Sequence, residues 1–218
     1  MDFDLSQVAQ TLAIYALPVL FAITLHEAAH GYVARHFGDM TAHAQGRISV
    51  NPARHIDILG TIVVPVVVLF LSGYNLLFGW AKPVPVNYSA LRKPRPHMAF
   101  VAAAGPAANL AMAVVWAAVL KVAVMLPGGW VSDFLRQVAQ AGILVNVLFM
   151  FLNLLPILPL DGGRILASLL PSRAAWQYAK LEPLGLPLLV LLLVTNVLSA
   201  VLDPLVGVSG ALIRAIVL

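Results

Sequence analysis

The chain has 218 residues, of which 61% are hydrophobic and only 10% are charged. About 25% of the residues of a typical soluble domain are charged, so the composition excludes an ordinary water-soluble globule. The formal net charge is +4, but the basic residues are spread among loops between apolar runs, so no nucleic-acid partner is expected. Cysteine is absent, so any metal site must use His, Asp or Glu side chains. We therefore expect a membrane protein whose main surroundings are the lipid bilayer.

Five apolar stretches follow one another along the chain: A (5–37), B (58–77), C (98–126), D (134–155) and E (184–202). A helix that spans a bilayer needs about 20 apolar residues, so A, C, D and E each predict a spanning helix. Stretch B is broken by Pro65 and by Ser72-Gly73, which disfavours a continuous helix. The tail from Pro204 to Leu218 predicts an interfacial helix or a short hydrophobic tail.

The residues after stretch B predict a different kind of structure. Between Gly79 and Tyr88 valines alternate with prolines, which disfavours a helix and fits an extended ribbon or an edge strand. The predicted fold is an all-α polytopic membrane protein of about four to six transmembrane helices, with a short re-entrant or β-ribbon segment. We expect a single domain, with a core at 5–170 and an accessory helix and tail at 183–218.

The basic loops of the chain alternate with segments that lack Lys and Arg. Basic residues concentrate at 35–54, 82–95 and 164–180, whereas the N-terminus carries Asp2 and Asp4 and the turn at 127–133 has no Lys or Arg. The positive-inside rule places the basic loops in the cytoplasm. This topology predicts a multi-pass protein of the cell (inner) membrane, and it requires stretch B to enter the membrane and return.

Stretch A contains the sequence His26-Glu27-Ala28-Ala29-His30. Residues four apart lie on one face of a helix, so both imidazoles can reach one zinc ion while Glu27 approaches the water beside it. Ionisable groups inside a membrane helix are costly and usually mark function. The alternative is a pair of histidines near the membrane interface with a chance Glu between them.

A catalytic zinc site needs a third protein ligand. The only other glutamate is Glu182, which has no helical partner motif, and His36 follows His30 at a spacing that would require glycine where Val33 stands. Asp161 is the better candidate, since the predicted topology brings it to the same membrane side as the two histidines and two glycines after it allow close approach. The alternative for Asp161 is a turn residue that caps the next helix.

Several motifs together resemble the site-2 protease family of intramembrane metalloproteases, in its compact prokaryotic branch without a PDZ domain. They are the His26–His30 motif, the Asn153–Gly162 segment, the Gly105–Asn109 segment, the Gly79–Val86 segment and the Asn51–Asp57 segment, where Ile58 then stands in place of an expected proline. These motifs cover roughly Leu25 to Leu170. The combination is specific, and stretch E and the tail add nothing to it.

The resemblance implies one catalytic Zn²⁺ bound by His26, His30 and Asp161, with Glu27 as the catalytic residue. It also implies an active-site Asn153, which could donate to the oxyanion, and a transmembrane protein or peptide as substrate. Further substrate or oxyanion candidates are Asn109, whose alternative role is helix packing, and His55, whose alternative is a loop or interfacial histidine. The competing function is that of a non-proteolytic metal-binding membrane protein or transporter.

Overall fold

The computed structural model describes residues 5–64, 67 and 81–217, and within these residues it is mostly helical and contains no strand. The α-helices are α1 (Leu5–His36), α2 (Thr41–Ala44), α3 (Pro94–Met125), α4 (Trp130–Leu154), α5 (Asp161–Leu169), α6 (Ser172–Ala179), α7 (Glu182–Val194) and α8 (Val197–Val217). Short 3-10 turns occupy Pro52–Arg54 and Tyr88–Ala90, and a π-helix occupies Ile58–Val63.

Four helices in the described part of the chain are long and apolar enough to cross a bilayer: Ala9–His36, Pro94–Met125, Trp130–Leu154 and Val197–Ala215. Helices α6 and α7 meet at a bend of 61° and together could form a fifth, broken span. The predicted all-α polytopic fold is confirmed, and stretches A, C and D correspond closely to α1, α3 and α4.

The prediction for stretch E is wrong in its boundaries. The run at 184–202 is not one helix, because α7 ends at Val194 and α8 begins at Val197. Asn196 between them has a φ of 59°, a left-handed conformation that ends helices and that asparagine tolerates better than most residues. The predicted tail is therefore the second half of a helix that is long enough to span the membrane.

Most of stretch B, together with Gly79 and Trp80, lies outside the described residues, so the re-entrant path stays a prediction. The described part of the ribbon, 81–87, is neither helix nor strand. Its backbone N–H groups bond to non-strand partners: Lys82 donates to the His55 carbonyl oxygen at 2.9 Å, and Asn87 donates to Asp39 Oδ2 at 2.7 Å. With its N–H groups bonded in this way, the described part of the segment does not belong to a sheet.

The main apolar core lies where α3, α4 and α8 meet. It is built around Trp116 of α3 and Ile143 of α4, with Val206 and Ile213 of α8 packed against them. Helix α1 packs on α3 and α4 on another side of the bundle. Buried alanines on α1, such as Ala22 and Ala28, let these helices approach closely.

Candidate metal centre

The two histidines of the motif lie on one buried face of α1. His26 is 7% exposed and His30 is 9% exposed, and both rings face α3 at Gly105. A Cβ atom on Gly105 would lie 2.5 Å from His26 Cε1 and from His30 Nε2. Real Cβ contacts are never this short, so only glycine at position 105 allows α3 to pass directly behind the two imidazoles.

Asp161 reaches the same place from another direction. It is the first residue of α5, which follows the irregular loop 155–160 after α4. Cβ atoms on Gly162 and Gly163 would collide with backbone atoms at Leu154–Leu155 and at Ile157–Leu158. The prediction that these glycines allow close approach is confirmed, and their packing places Asp161 opposite the histidines.

The structure brings the three predicted metal ligands together. His26 Nε2 lies 3.2 Å from Asp161 Oδ2, His30 Nε2 lies 3.4 Å from the same oxygen, and the two Nε2 atoms are 3.1 Å apart. Bonds of about 2.0–2.2 Å to a tetrahedral zinc ion put neighbouring ligand atoms about 3.3–3.6 Å apart, close to the observed distances. The spacing of these atoms therefore fits a metal ion of this kind.

The hydrogen bonds of the two rings also fit a cation. His26 Nδ1 donates to Asn109 Oδ1 at 2.7 Å, and His30 Nδ1 donates to the Val101 carbonyl oxygen at 2.7 Å. With a proton on Nδ1, the Nε2 atom of each ring is available as a ligand and faces the centre of the cluster. Asp161 Oδ2 is buried there without a hydrogen-bond donor. Three acceptors that converge in a buried space without a donor are stabilised by a positive ion.

Glu27 is held by the extended segment 81–87. Its Oε2 accepts a hydrogen bond of 2.7 Å from the Val84 N–H, across 57 residues of sequence. Pro83 and Pro85 have no N–H, and the N–H groups of Lys82 and Asn87 donate to other partners. The described segment fixes a carboxylate beside the two histidines.

Comparison with known proteins gives the chain its family. Peptidase family M50 matches at residues 121–195. The protein named "Putative zinc metalloprotease YwhC" from Bacillus subtilis is 34% identical over 210 residues, which cover 95% of this chain and 92% of the relative. The chain belongs to peptidase family M50, the site-2 protease family.

A second relative supports the same assignment. "Putative zinc metalloprotease Rip2" from Mycolicibacterium smegmatis is 30% identical over 203 residues, which cover 90% of this chain and 75% of the relative. No solved structure matches the chain significantly. M50 membership and the apolar helices together make the protein a multi-pass membrane metalloprotease. The family implies zinc, and His26, His30 and Asp161 could hold a metal ion.

The other residues weighed for the M50 site lie in different surroundings. Asn109 is fully buried and accepts a hydrogen bond from His26 Nδ1, and its role toward a substrate stays a prediction. Asn153 donates to the Phe149 carbonyl oxygen of its own helix at 3.0 Å. His55 is 2% exposed and contacts the Ser49 carbonyl oxygen through Nε2 at 2.8 Å, while its Nδ1 has no hydrogen-bond partner.

The two rejected ligands are found away from the cluster. His36 is the last residue of α1, and its ring lies against Phe37. Glu182 forms an ion pair of 3.2 Å with Arg164.

Arg164 also lies 5.3 Å from the centre of the Tyr88 ring, and burial raises the pKa of Tyr88 above its usual value. The Tyr88 hydroxyl of this M50 chain therefore remains a hydrogen-bond donor at neutral pH.

Sequence reasoning missed one buried polar residue near the centre. Asn146 lies in the spanning helix α4, is fully buried, and accepts a hydrogen bond from Asn109. Its signal was present in the sequence, because a lone asparagine in a long apolar helix is costly unless it has a partner.

Proposed function

We propose that this protein is a zinc-dependent intramembrane endopeptidase. It would hydrolyse a peptide bond in or near a transmembrane segment of another membrane protein, as in regulated intramembrane proteolysis. His26, His30 and Asp161 would hold one zinc ion, and Glu27 would be the catalytic base. The observation that carries this proposal is the convergence of three ligand atoms, 3.1 to 3.4 Å apart, between helices that are able to span a membrane.

The zinc ion and the protein side chains would contribute different parts of the hydrolysis. Zinc, when bound, lowers the pKa of water toward about 7 and polarises the scissile carbonyl. Glu27 moves the proton: the Val84 N–H holds Oε2, so Oε1 is free of that bond and takes a proton from the attacking water. Glu27 then gives this proton to the leaving amine nitrogen. Asn153 remains a candidate oxyanion donor, provided that its amide turns away from the Phe149 carbonyl.

The depth of the cluster supports a substrate inside the membrane. His26 and His30 lie within the candidate span Ala9–His36, and Gly105 behind them lies within the span Pro94–Met125. All three proposed ligands are at most 9% exposed. A transmembrane substrate can reach such a site by diffusing sideways in the bilayer, but its helix must unwind locally because helical peptide bonds are hidden.

The test compares cleavage and zinc content in purified protein. We expect Glu27→Gln to abolish cleavage of a model transmembrane substrate in detergent while one zinc ion stays bound, since glutamine cannot accept the proton. Glu182→Gln is the matched control, because Glu182 is the only other glutamate and is paired with Arg164. This control should cleave at close to the wild-type rate.

Two results would contradict the proposal. Cleavage retained by Glu27→Gln would show that Glu27 is not the catalytic base. A wild-type protein that binds zinc but cleaves nothing would favour the non-proteolytic metal-binding protein or transporter.

We also propose that the site faces the cytoplasm from the cell membrane, on the basis of the basic loops at 82–95 and 164–180. The natural chain has no cysteine, so single cysteines can be labelled without background. An impermeant maleimide should label Gly128→Cys in intact spheroplasts, and it should label Arg173→Cys only after permeabilisation. The reverse labelling pattern would place the basic loops and the site on the outer side of the membrane.

A further inference from the structure

A chain of buried side-chain amides runs from His26 through two spanning helices. Asn109 Oδ1 accepts from His26 Nδ1, and Asn109 Nδ2 donates to Asn146 Oδ1 at 3.1 Å and to the Ala22 carbonyl oxygen at 3.2 Å. Asn146 Nδ2 in turn donates to the Gly142 carbonyl oxygen at 2.8 Å. Both asparagines are 0% exposed, so they have no contact with bulk water.

The order of donors and acceptors in this chain has a single consistent solution. The Gly142 carbonyl can only accept, so Asn146 must point its NH₂ group at it and its oxygen at Asn109. Asn109 therefore presents NH₂ to Asn146 and to Ala22, and presents oxygen to His26. That oxygen requires a proton on His26 Nδ1, which leaves a lone pair on Nε2 facing the cluster.

The second histidine does not depend on side chains in this way. His30 Nδ1 donates directly to the backbone carbonyl oxygen of Val101. A backbone carbonyl cannot flip and is present whatever residue occupies the position. The tautomer of His26 is thus fixed by an amide that could in principle rotate, whereas the tautomer of His30 is fixed by a group that cannot.

We propose that Asn146 is a positioning residue for the metal centre. By holding the Asn109 amide in one orientation, it keeps His26 in the tautomer that binds a metal through Nε2. The proposal rests on the proposed role of His26 as a ligand, but it does not require that the protein be a protease.

The expected size of the effect follows from the two restraints on Asn109. Without Asn146, the Ala22 carbonyl still favours the native orientation of the Asn109 amide. The amide would therefore lose part of its preference for that orientation but would not reverse it. Loss of such an outer contact typically weakens metal binding by about 10-fold to 100-fold. We expect a value near the lower end of this range for Asn146, and near the upper end for Asn109, which touches the imidazole itself.

The experiment uses the full chain in detergent and three substitutions in α4. Asn146→Leu has a similar shape but removes the acceptor, and should weaken Zn²⁺ binding about 10-fold in competition with a chromophoric chelator. Asn146→Asp, as the neutral acid in this buried position, keeps an acceptor for Asn109 and an O–H donor for the Gly142 carbonyl, and should stay within about 3-fold of the wild type. Ser132→Ala removes the hydrogen bond from the buried Ser132, near the start of α4, to the Gly129 carbonyl oxygen, and should leave zinc affinity unchanged.

A second measurement reports the tautomer itself. In metal-free protein, ¹⁵N spectra of His26 should show the proton on Nδ1 in the wild type and in Asn146→Asp, and a mixture of tautomers in Asn146→Leu. A merely structural role for Asn146 would lower thermal stability without changing this spectrum. Asn146→Ala makes the same predictions as the leucine variant and replaces it if that protein does not fold.

Two outcomes would overturn the inference: wild-type zinc affinity and tautomer in Asn146→Leu, or equal loss in Asn146→Leu and Asn146→Asp. Neither readout depends on cleavage. A wild-type protein that binds zinc without proteolysis would therefore defeat the proposed function and leave the role of Asn146 to be judged separately.

Discussion

The candidate centre is assembled from two regions that work differently. The helical half consists of α1, α3 and α4, and it supplies His26 and His30 with their Nδ1 atoms already bonded. The loop half consists of segments 81–87 and 155–160, and it supplies the anchor of Glu27 and the position of Asp161. Rigid helices set the direction of the imidazoles, while irregular backbone anchors the Glu27 carboxylate and positions Asp161. The difference predicts that the two halves fail in different ways.

The largest effect is expected in the helical half, at Gly105. In Gly105→Ala the new methyl group would meet both imidazoles, which cannot retreat because their Nδ1 atoms are fixed. We expect zinc affinity to fall about 100-fold or more, and cleavage to fall with it. Chelator competition measures the first and a model substrate the second.

The control for Gly105→Ala is Gly207→Ala in the spanning helix α8, where a Cβ atom would have no neighbour within 4 Å among the described residues. This variant should bind zinc like the wild type. Normal zinc binding by Gly105→Ala would mean that α3 does not pack closely against the two histidines.

The next effect separates the base from the metal. Val84→Pro removes the N–H that holds Glu27, at a position already flanked by Pro83 and Pro85. We expect the cleavage rate to fall about 10-fold to 100-fold through misplacement of the carboxylate. Zinc affinity should stay at the wild-type value, since none of the three ligands is touched. Parallel loss of zinc would show that the two halves are not independent.

A smaller effect tests how far the loop half extends. A Cβ atom on Gly185 of α7 would collide with the Leu158 carbonyl in the loop before Asp161. Gly185→Ala should therefore displace α7 or the loop and weaken zinc binding about 10-fold. The measurement is again chelator competition, with Gly207→Ala beside it. Unchanged affinity would show that α7 only covers the loop without positioning Asp161.

The smallest effect is expected at the rim of the same loop. The exposed Tyr178 hydroxyl donates to the Pro156 carbonyl oxygen at 2.8 Å. Its loss in Tyr178→Phe should cost at most about 1 kcal/mol of unfolding free energy. Thermal unfolding in detergent should shift by no more than a few degrees, with zinc binding intact. A large loss of zinc would make this contact part of the centre.

The sequence predicted the helical half better than the loop half, for a physical reason. A spacing of four residues in a helix specifies a shared face, so His26 and His30 could be paired without coordinates. The length of an apolar run specifies a span, which is why α1, α3 and α4 were predicted closely. The same rule failed at Thr195-Asn196, because a count of apolar residues does not register a local break in the helix.

Apart from the meeting of Asp161 with the two histidines, contacts between distant segments were not predicted. The bond between Glu27 and Val84 joins an α-helix to irregular backbone, and no local periodicity encodes it. The importance of Gly105 could be noticed as a motif, but its cause appears only when α3 is seen against the imidazoles. Asn146 could have been singled out by its polarity, although its partner could not be named.

The anchor of Glu27 has a consequence for how this protein can change over time. Its donor belongs to the main chain, so every residue except proline at position 84 provides the same N–H. Substitutions at position 84 during evolution would change the side chain but keep the N–H that bonds to the Glu27 carboxylate. A library of all substitutions at position 84 would thus report on side-chain packing. Only its proline variant would report on the hydrogen bond to Glu27.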